Sequence, residues 1–461
     1  MNKEVYKYFK EISDIPRGTY NIDEISNYLV SFAKKRDLEV YQDEVKNVII
    51  KKKASKGYEN KESVILQAHM DMVCQKEADS NHDFLKDPIT IIEKDGFLTA
   101  DKTTLGADNG IGVAMILAIL DSSISLPKIE ALITVNEEIG MEGALNIDMN
   151  LFDSNMLINI DSEDEGILTA GCAGGVGLEV FYKGNKEKKK GNILDISLSN
   201  LKGGHSGVDI NKNRVNAIKC VFKFIKDIKG NIVSVNAGKV DNAIPDSINL
   251  KYMLDENIDI DTIKDNITSY LNDNKEENAI VNIKTYEDEV EVLSDSKDII
   301  SYVNECINGV ISYEEGLDDM VRTSLNLGVI ETDDDKILFK HLIRSSSDEE
   351  KEDVVNNIKA SASKINAIVK EVNPYSGWEF KKDSKLRERM SKIYKDMFNK
   401  DLIINTIHAG LECGMFVSKK PTLDCVSIGP NVYDVHTPNE RLDIESTNRT
   451  YEYIINILQE I

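Results

Sequence analysis

Short apolar runs alternate with amphipathic segments along the first part of the chain. The runs "LEVYQD", "NVIIKK" and "SVILQAH" predict strands, as do those within "IEALITVNEEIG" and "NMLINIDSEDEG". Residues 2–36 have the pattern of two helices separated by "DIPRGTYN", where Pro16 and Gly18 end the first helix. "LGADNGIGVAMILAIL" predicts a loop that leads into an apolar helix. Apolar runs alternating with helices indicate an α/β layer with a largely buried sheet.

The pattern changes after the Lys-rich stretch "YKGNKEKKKGN", which we interpret as a solvated linker or hairpin. The next segments predict a β-α-β-β-α-β unit, and a second such unit follows less clearly. From about residue 383 the helix and apolar-run pattern returns, ending in a predicted helix over 443–459. We therefore predict an α/β/α sandwich formed by residues 1–187 and 383–461, with an inserted α/β domain over 188–382.

Composition narrows the classes of protein. The 461 residues are 41% hydrophobic and 30% charged, as in a globular protein, and the formal net charge is −24. Such an acidic surface repels nucleic acid and anionic membranes, and we expect neither as a partner. No apolar run approaches the roughly 20 residues that span a bilayer, and the amino-terminal segment lacks the features of a signal peptide. The six cysteines are scattered without a CxxC pair, which is typical of reduced thiols in the cytoplasm.

Acidic and histidine side chains follow several of the predicted strands. In α/β sheets ligands gather at the carboxyl ends of strands, so these side chains would meet there. They are His69, Asp71, Glu137, Glu138, Asp161 and His436, together with Asp108 at the start of the apolar helix. Zinc accepts such nitrogen and oxygen ligands, and manganese or cobalt could also occupy them. The set is too large for one tetrahedral metal, whereas a carboxylate that bridges two metals would use it all.

Each residue taken alone also has a simpler interpretation. His69 could be a hydrogen-bonded histidine at the end of a strand, and Glu137 and Glu138 could lie in a solvated loop. Asp108 could be the N-cap of its helix, a role that does not exclude metal binding. The joint pattern is what favours a metal site.

The same motifs resemble a known enzyme family. "HMD" at 69–71, "GADNG" at 106–110, Glu137-Glu138, Asp161 and "VHTPNE" at 435–440 resemble the motif set of the dinuclear-zinc peptidases and deacylases. More specifically, "HMDMVCQK", "NHDFLKDPI", "LKGGHSGVDI" and "IHAGLECGMF" are similar to segments of the bacterial aminoacyl-histidine dipeptidases, or Xaa-His dipeptidases. The resemblance covers essentially the whole chain. It implies a catalytic domain made from both chain ends and a lid inserted between them.

The resemblance implies a metal site with two zinc ions. His69, Asp108 and Asp161 would hold one zinc, and Asp108, Glu138 and His436 the other, so that Asp108 bridges them. The two ions would lower the pKa of a bridging water and polarise the scissile carbonyl.

Two further carboxylates receive roles from the same resemblance. Asp71 would accept the other ring N–H of His69 and so fix its tautomer. Glu137 would be the general base. Adjacent glutamates in an extended segment point in different directions, so we expect one to bind metal and the other to remain free.

The lid and the second part of the catalytic domain supply candidate substrate contacts. The resemblance implies that His205 in "GGHSG" donates to the developing oxyanion when the domains close. Asn242 and Arg344 are candidates for binding the substrate carboxylate. Glu412 could bind the free α-amino group, and His408 lies near it in sequence. The alternative for Glu412 is a charge at a helix N-terminus.

The activity implied is metal-dependent hydrolysis of dipeptides with free amino and carboxyl ends, of the Xaa-His type and including β-alanyl-histidine. One alternative is a tripeptide aminopeptidase or an acylamino-acid deacylase of the same family. Another is a non-catalytic binding protein, which would be expected to lack a ligand or the base, and none is missing here. In relatives with a short lid, the lid histidine can reach the partner subunit's site. A lid with two tandem units could make that contact within one chain, so we expect either a monomer or a homodimer.

Overall fold

The computed structural model describes residues 1–317 and 319–461. Two compact units are present. Unit 1 comprises Met1–Gly171, Phe380–Thr406 and Leu411–Ile461, and unit 2 comprises Cys172–Glu379 and Ile407–Gly410.

The helices and strands are numbered along the chain. The helices are α1 (Lys3–Ser13), α2 (Asp23–Lys34), α3 (Ala107–Asp121), α4 (Glu142–Asn146), α5 (Ala217–Ile225), α6 (Ile260–Asp273), α7 (Ser296–Glu305), α8 (Asp348–Lys364), α9 (Lys385–Phe398), α10 (Glu412–Lys419) and α11 (Ile444–Glu460). The strands are β1 (Glu39–Gln42), β2 (Val48–Lys52), β3 (Val64–His69), β4 (Ile91–Lys94), β5 (Phe97–Ala100), β6 (Ile129–Thr134), β7 (Met156–Asn159), β8 (Ile167–Cys172), β9 (Gly174–Lys183), β10 (Lys186–Ser199), β11 (Gly204–His205), β12 (Gly230–Ala237), β13 (Ala243–Ile244), β14 (Ile248–Leu254), β15 (Ile280–Leu293), β16 (Gly309–Tyr313), β17 (Val321–Asp333), β18 (Lys336–Ser345), β19 (Ile368–Tyr375), β20 (Ile403–Ile407), β21 (Asp424–Ser427), β22 (Val432–Tyr433) and β23 (Arg441–Asp443).

Unit 1 is built on an eight-stranded sheet of order β1-β2-β6-β3-β7-β21-β8-β20. Its centre is parallel, because β3 pairs with β6 and β7, and β7 pairs with β21. β3, β6 and β7 are buried along their whole length, as expected for the continuous apolar runs of a parallel sheet. Parallel strands end at the same edge of a sheet, so the residues that follow these four strands lie along one edge.

The helix α3 places Asp108 near that edge. Its side chains are buried from Asn109 to Leu120, which explains why the sequence is apolar on every side, and it packs against α1 and β3. α1 buries Val5, Phe9 and Ile12, which recur at helical spacing. Burial of each such side chain contributes about 1.5–3 kcal/mol. α1 and α2 are separated at Pro16 and Gly18, as predicted.

Unit 2 contains a nine-stranded sheet, in which two β-α-β-β-α-β motifs supply eight strands and β16, paired with β17, is the ninth. The first consists of β10, α5, β12, β14, α6 and β15. The second takes β9 as its first strand and continues with α7, β17, β18, α8 and β19, in which β9 pairs with β18 and β19. Within this sheet, the two β-α-β-β-α-β motifs join where β12 pairs antiparallel with β17. Asn236 lies opposite Glu331, and Ala237 lies opposite Ile330.

The Lys-rich stretch is part of this sheet, so its interpretation as a linker or hairpin is wrong. β10 begins at Lys186 and pairs along its length with the acidic strand β15. The Nζ atoms of Lys188 and Lys190 lie 3.5 Å from carboxylate oxygens of Glu289 and Glu287, respectively. Opposite charges on neighbouring strands stabilise this pairing, and the lysines therefore face acidic partners as well as solvent.

Among the described residues, no helix is both long and apolar enough to cross a membrane.

Candidate dinuclear metal centre

Two histidines and two carboxylates converge on a third carboxylate, Asp108, at the carboxyl edge of the unit 1 sheet. Nε2 of His69, the last residue of β3, lies 3.2 Å from Oδ1 of Asp108 and 3.4 Å from Oδ1 of Asp161. Nε2 of His436 lies 3.0 Å from Oδ2 of Asp108 and 3.1 Å from Oε2 of Glu138. Asp108 therefore presents one oxygen to each histidine, which is the geometry of a carboxylate that bridges two metal ions.

The ligand atoms form compact groups. In the group of His69, Asp108 and Asp161, and in that of Asp108, Glu138 and His436, all ligand atoms lie within 4.8 Å of one another. The sequence-predicted ligands are thus brought together in the two groups expected.

The chemistry of this donor set fits divalent cations. Three carboxylates are packed together, and burial, with the neighbouring Asp108 and Glu138, raises the pKa of Asp161 to about 6. In the part of the chain that the structure describes, Oδ1 of Asp161 and Oε1 of Glu138 are buried without a hydrogen-bond partner. Buried oxygens of this kind are costly unless a donor or cation satisfies them. Two divalent cations would satisfy both, and a set of nitrogen and oxygen ligands without thiols is compatible with zinc, manganese or cobalt.

Asp71 accepts hydrogen bonds from two other segments at this edge of the sheet. Its Oδ1 accepts from the backbone N–H of Glu137 at 3.0 Å, and its Oδ2 accepts from Oγ1 of Thr19 at 2.9 Å. The Nδ1 atom of His69 lies 3.1 Å from the carbonyl oxygen of Asp71 and 3.5 Å from its carboxylate. Either contact places the ring proton on Nδ1 and leaves Nε2 free for a metal. The carbonyl oxygen of Asp71 is the nearer acceptor for the ring N–H of His69, whereas the sequence analysis predicted the carboxylate of Asp71 in that role.

Glu137 and Glu138 both reach the site. Oxygens of both carboxylates lie within 4.8 Å of each other and of a ring nitrogen of His69. The expectation that adjacent glutamates diverge assumed an extended segment. Asn136 has φ +51°, so the chain leaves the extended conformation just before Glu137. Burial and the neighbouring carboxylates raise the pKa of Glu137 well above its ordinary range.

Glu412 is completely buried at the start of α10. Its Oε2 accepts from Nε2 of Gln67 at 2.5 Å and from Oγ1 of Thr134 at 2.8 Å, on the neighbouring strands β3 and β6. Burial raises the pKa of Glu412 to about 8. Its Oε1 is buried and has no hydrogen-bond partner among the described residues.

In unit 2, His205 and Arg344 lie side by side. The backbone N–H groups of Gly207 and Val208 donate to Nδ1 of His205 at 3.2 and 3.3 Å. Nδ1 is thus an acceptor, and the neutral ring carries its proton on Nε2. Burial and the adjacent Arg344 lower the pKa of His205, which favours this neutral form.

A second donor points to the same place. Nη2 of Arg344 is 3.5 Å from Nε2 of His205, and its Nη1 donates to the hydroxyl of Tyr375 at 3.1 Å. Two N–H donors thus lie 3.5 Å apart, a spacing that suits the binding of a negatively charged oxygen.

Asn242 and His408 complete the predicted set in unit 2. Asn242 is exposed and precedes β13, which pairs with β11 so that Ala243 lies opposite His205. Nε2 of His408 lies 2.7 Å from Oγ of Ser324. Burial and the charge of Arg344 lower the pKa of His408 to about 3, so this ring is neutral.

Sequence reasoning missed Arg17 and Glu440, which contact the backbone around Asp108. Glu440 stands in the "VHTPNE" motif, four residues after His436, and Arg17 stands in the break between the first two helices. Two sequence features could have indicated them: Glu440 is a carboxylate within a predicted metal-binding motif, and Arg17 lies between Pro16 and Gly18, where the chain must turn. Tyr375 was also missed, and nothing in its sequence context indicates its contact with Arg344.

Comparison with known proteins identifies the class. The profile of Peptidase family M20/M25/M40 matches residues 65–460. The chain therefore belongs to this family of peptidases, which confirms the resemblance drawn from the motifs.

Particular relatives are similar over almost their whole length. The chain is 34% identical to the cytosol non-specific dipeptidase of Escherichia coli (strain K12), with 99% of this chain and 97% of the relative aligned. It superposes on the crystal structure of aminoacylhistidine dipeptidase from Vibrio alginolyticus with a TM-score of 0.94 and 33% identity, covering 100% of this chain and 97% of the other. The aminopeptidase PepT from Bacillus cereus shares the fold with a TM-score of 0.60 and 17% identity, covering 99% and 98% of the two chains. These comparisons confirm the α/β architecture and the assignment as a peptidase.

Proposed function

We propose that the protein is a cytoplasmic dipeptidase that hydrolyses dipeptides with free amino and carboxyl ends, of the Xaa-His type and including β-alanyl-histidine. The observation that carries the proposal is the bridging position of Asp108, whose two oxygens face His69 at 3.2 Å and His436 at 3.0 Å. A site of this kind serves hydrolysis with two metal ions. The names of the two relatives that align over nearly the whole chain both support a dipeptidase. The name aminoacylhistidine dipeptidase favours Xaa-His substrates, and the name cytosol non-specific dipeptidase favours the cytoplasm and a broader range of dipeptides.

In this proposal His69, Asp108 and Asp161 would hold one zinc ion, and Asp108, Glu138 and His436 would hold the other. Such ions supply an activated water and polarise the peptide carbonyl. Asp71 keeps His69 in the tautomer that leaves Nε2 unprotonated.

Glu137 is the general base of the proposal. Its carboxylate takes the proton of the attacking water and gives it to the nitrogen of the leaving amine, so that one group serves both steps. Burial and the neighbouring carboxylates raise the pKa of Glu137, which makes its carboxylate a stronger proton acceptor than an ordinary glutamate.

The unit 2 residues provide electrostatic recognition. His205 donates its Nε2–H to the oxygen that becomes negative when the carbonyl is attacked. Arg344 binds the substrate carboxylate with its planar fork, assisted by Asn242. Glu412 receives the free α-amino group through its unsatisfied oxygen. His408 is a further substrate-binding residue of the proposal.

A matched series of compounds tests the substrate class. The series contains a dipeptide, the same dipeptide as its C-terminal amide, its N-acetyl form, a tripeptide and an N-acetyl amino acid. The proposal predicts rapid cleavage of the free dipeptide only, because blocking one end leaves a buried ionic partner unpaired. Cleavage of only the tripeptide or only the N-acetyl amino acid would instead identify a tripeptide aminopeptidase or a deacylase. Binding of the dipeptide without turnover would indicate a binding protein.

Variants on β18 locate the carboxylate contact. Arg344→Met should raise the KM for the free dipeptide by about 10- to 100-fold, the range for loss of a charge-assisted hydrogen bond, and should change the KM for the amide far less. Lys340→Met is the matched control, because Lys340 lies on the same strand and its Nζ is 3.6 Å from a Glu179 oxygen. Equal effects of Arg344→Met on the dipeptide and its amide would exclude the carboxylate as the ligand of Arg344.

A further inference from the structure

The backbone that carries Asp108 is held by two buried charged side chains that have no assigned role. Glu440 accepts four backbone N–H groups, with Oε2 receiving those of Leu105 at 2.8 Å and Gly106 at 3.0 Å. Its Oε1 receives those of Ala107 at 2.7 Å and Asp108 at 3.3 Å.

Arg17 holds the same loop from the other side and connects it to the end of β3. Its Nη2 donates to the carbonyl oxygen of Gly106 at 2.5 Å. Its Nη1 donates to the carbonyl oxygens of Met70 at 3.1 Å and Asp71 at 3.4 Å, immediately after His69. One guanidinium thus links the segment that carries His69 to the segment that carries Asp108.

The two glycines of "GADNG" make room for this guanidinium. A side chain on Gly106 would place its Cβ 2.5 Å from Nη2 of Arg17, and a Cβ on Gly110 would also meet Nη2. Gly106 in addition has φ +69°, which favours glycine. The two glycines of this motif are therefore explained by the guanidinium of Arg17, whereas its aspartate is the candidate metal ligand Asp108.

We propose that Arg17 and Glu440 are positioning residues that fix the bridging carboxylate of Asp108 relative to His69 and so set the affinity for the metal pair. The proposal rests on the proposed function of Asp108 as a metal ligand. Both side chains are almost completely buried and act on backbone atoms of ligand-bearing segments. Residues that orient metal ligands typically change metal affinity or activity by about 10- to 100-fold when replaced.

A buried carboxylate elsewhere in unit 1 provides the matched control. Glu130, at the start of β6, is also fully buried. It also accepts backbone N–H groups, from Ser154 at 2.9 Å and Asp153 at 3.3 Å. β6 runs towards the metal edge, so Glu130 lies at the strand end away from the site. Glu130→Gln and Glu440→Gln therefore each remove the charge of a buried carboxylate that accepts backbone N–H groups, at two distances from the metal centre. Glu130 differs in that it also pairs with Lys51 and Lys128.

The experiment measures zinc binding to chelator-stripped protein by competition with a chromophoric chelator, together with thermal unfolding, kcat and KM for a dipeptide. Glu130→Gln and Glu440→Gln should both lower the melting temperature of the protein. Only Glu440→Gln should weaken zinc binding, by about 10- to 100-fold, and lower kcat with little change in KM. Equal zinc affinity in wild type and Glu440→Gln would overturn the proposal.

A second pair keeps the proposal testable if Glu440→Gln does not fold. Arg17→Lys keeps the charge but loses the planar fork, whereas Arg17→Met loses both. Zinc affinity should fall in the order wild type, Arg17→Lys, Arg17→Met, and unchanged affinity in both variants would refute the role of Arg17. Failure of the wild-type protein itself to bind zinc would instead refute the proposed function.

Discussion

Replacing the adjacent glutamates one at a time separates metal binding from proton transfer. Glu138→Gln removes a charged ligand from the group of Asp108, Glu138 and His436 and leaves the group of His69, Asp108 and Asp161 complete. Glu137→Gln removes neither group's ligand and keeps the shape of the side chain. The zinc content should therefore fall from two ions to about one in Glu138→Gln and stay at two in Glu137→Gln.

The two variants should differ in rate for different reasons. Loss of a general base costs about 10²- to 10⁴-fold in kcat, or about 3 to 5 kcal/mol of activation free energy. Glu137→Gln should show this loss with full metal content, and excess zinc should not restore it. Glu138→Gln should regain part of its activity when zinc is added, because mass action refills the weakened group.

The assay combines elemental analysis of the gel-filtered protein with amino-acid release at saturating dipeptide. Glu77→Gln, on an exposed loop of unit 1, controls for the loss of a carboxylate as such. If Glu137→Gln lost one zinc ion while Glu138→Gln kept two and lost turnover, the roles of the two residues would be reversed. Near-normal turnover of Glu137→Gln would refute its role as the base.

Three further variants test other parts of the molecule. His205→Ala should lower kcat by about 10²- to 10³-fold with unchanged zinc content, as for removal of an oxyanion donor, and loss of zinc would exclude that role. Hydrogen bonds from Ser154 and ion pairs with Lys128 and Lys51 outweigh burial and hold the pKa of Glu130 near 2, below the ordinary 4.5. Its carboxylate should therefore stabilise the fold above about pH 4.5 by about 3 kcal/mol, and this contribution should vanish as the pH falls towards 2. Urea unfolding of Glu130→Gln should show a deficit at pH 7 that shrinks on acidification, and a deficit independent of pH would contradict the pKa. Leu66→Ala, at a fully buried position of β3, should lower the free energy of unfolding by about 2–5 kcal/mol in the same assay, and a loss below 1 kcal/mol would contradict its burial.

The predictable part of the site follows from a simple regularity. A parallel strand buried on both faces has a continuous apolar sequence, and its first polar residues mark its carboxyl end. His69, Glu137 and Asp161 each stand just after such a run, so their convergence could be expected before any coordinates were known. The two histidines, Asp161 and Glu138 do converge, on Asp108.

Local backbone conformation accounts for one feature of the site that the sequence did not predict. The left-handed conformation of Asn136 turns the chain just before Glu137 and Glu138, and hydrophobic patterning does not encode that turn. An asparagine tolerates that conformation better than most residues, but its presence alone does not predict it.

Long-range contacts account for the other features that the sequence analysis did not predict. Arg17 reaches Gly106, and Glu440 reaches Leu105, across separations of 89 and 335 residues. The Lys-rich strand β10 was misread because its acidic partner β15 begins far along the chain. Charge runs look solvated in isolation, and only the pairing of opposite charges across strands shows that they belong to a sheet.

Amino-acid release from β-alanyl-histidine, by chelator-stripped protein and by the same protein after addition of zinc, manganese or cobalt, tests whether this is a metal-dependent dipeptidase. We expect no release from the stripped protein, and release of β-alanine and histidine in equal amounts once one of these metals is restored, with no cleavage of the N-acetylated dipeptide. Undiminished release after stripping, or silence on β-alanyl-histidine and on ordinary dipeptides with every metal, would contradict the proposal.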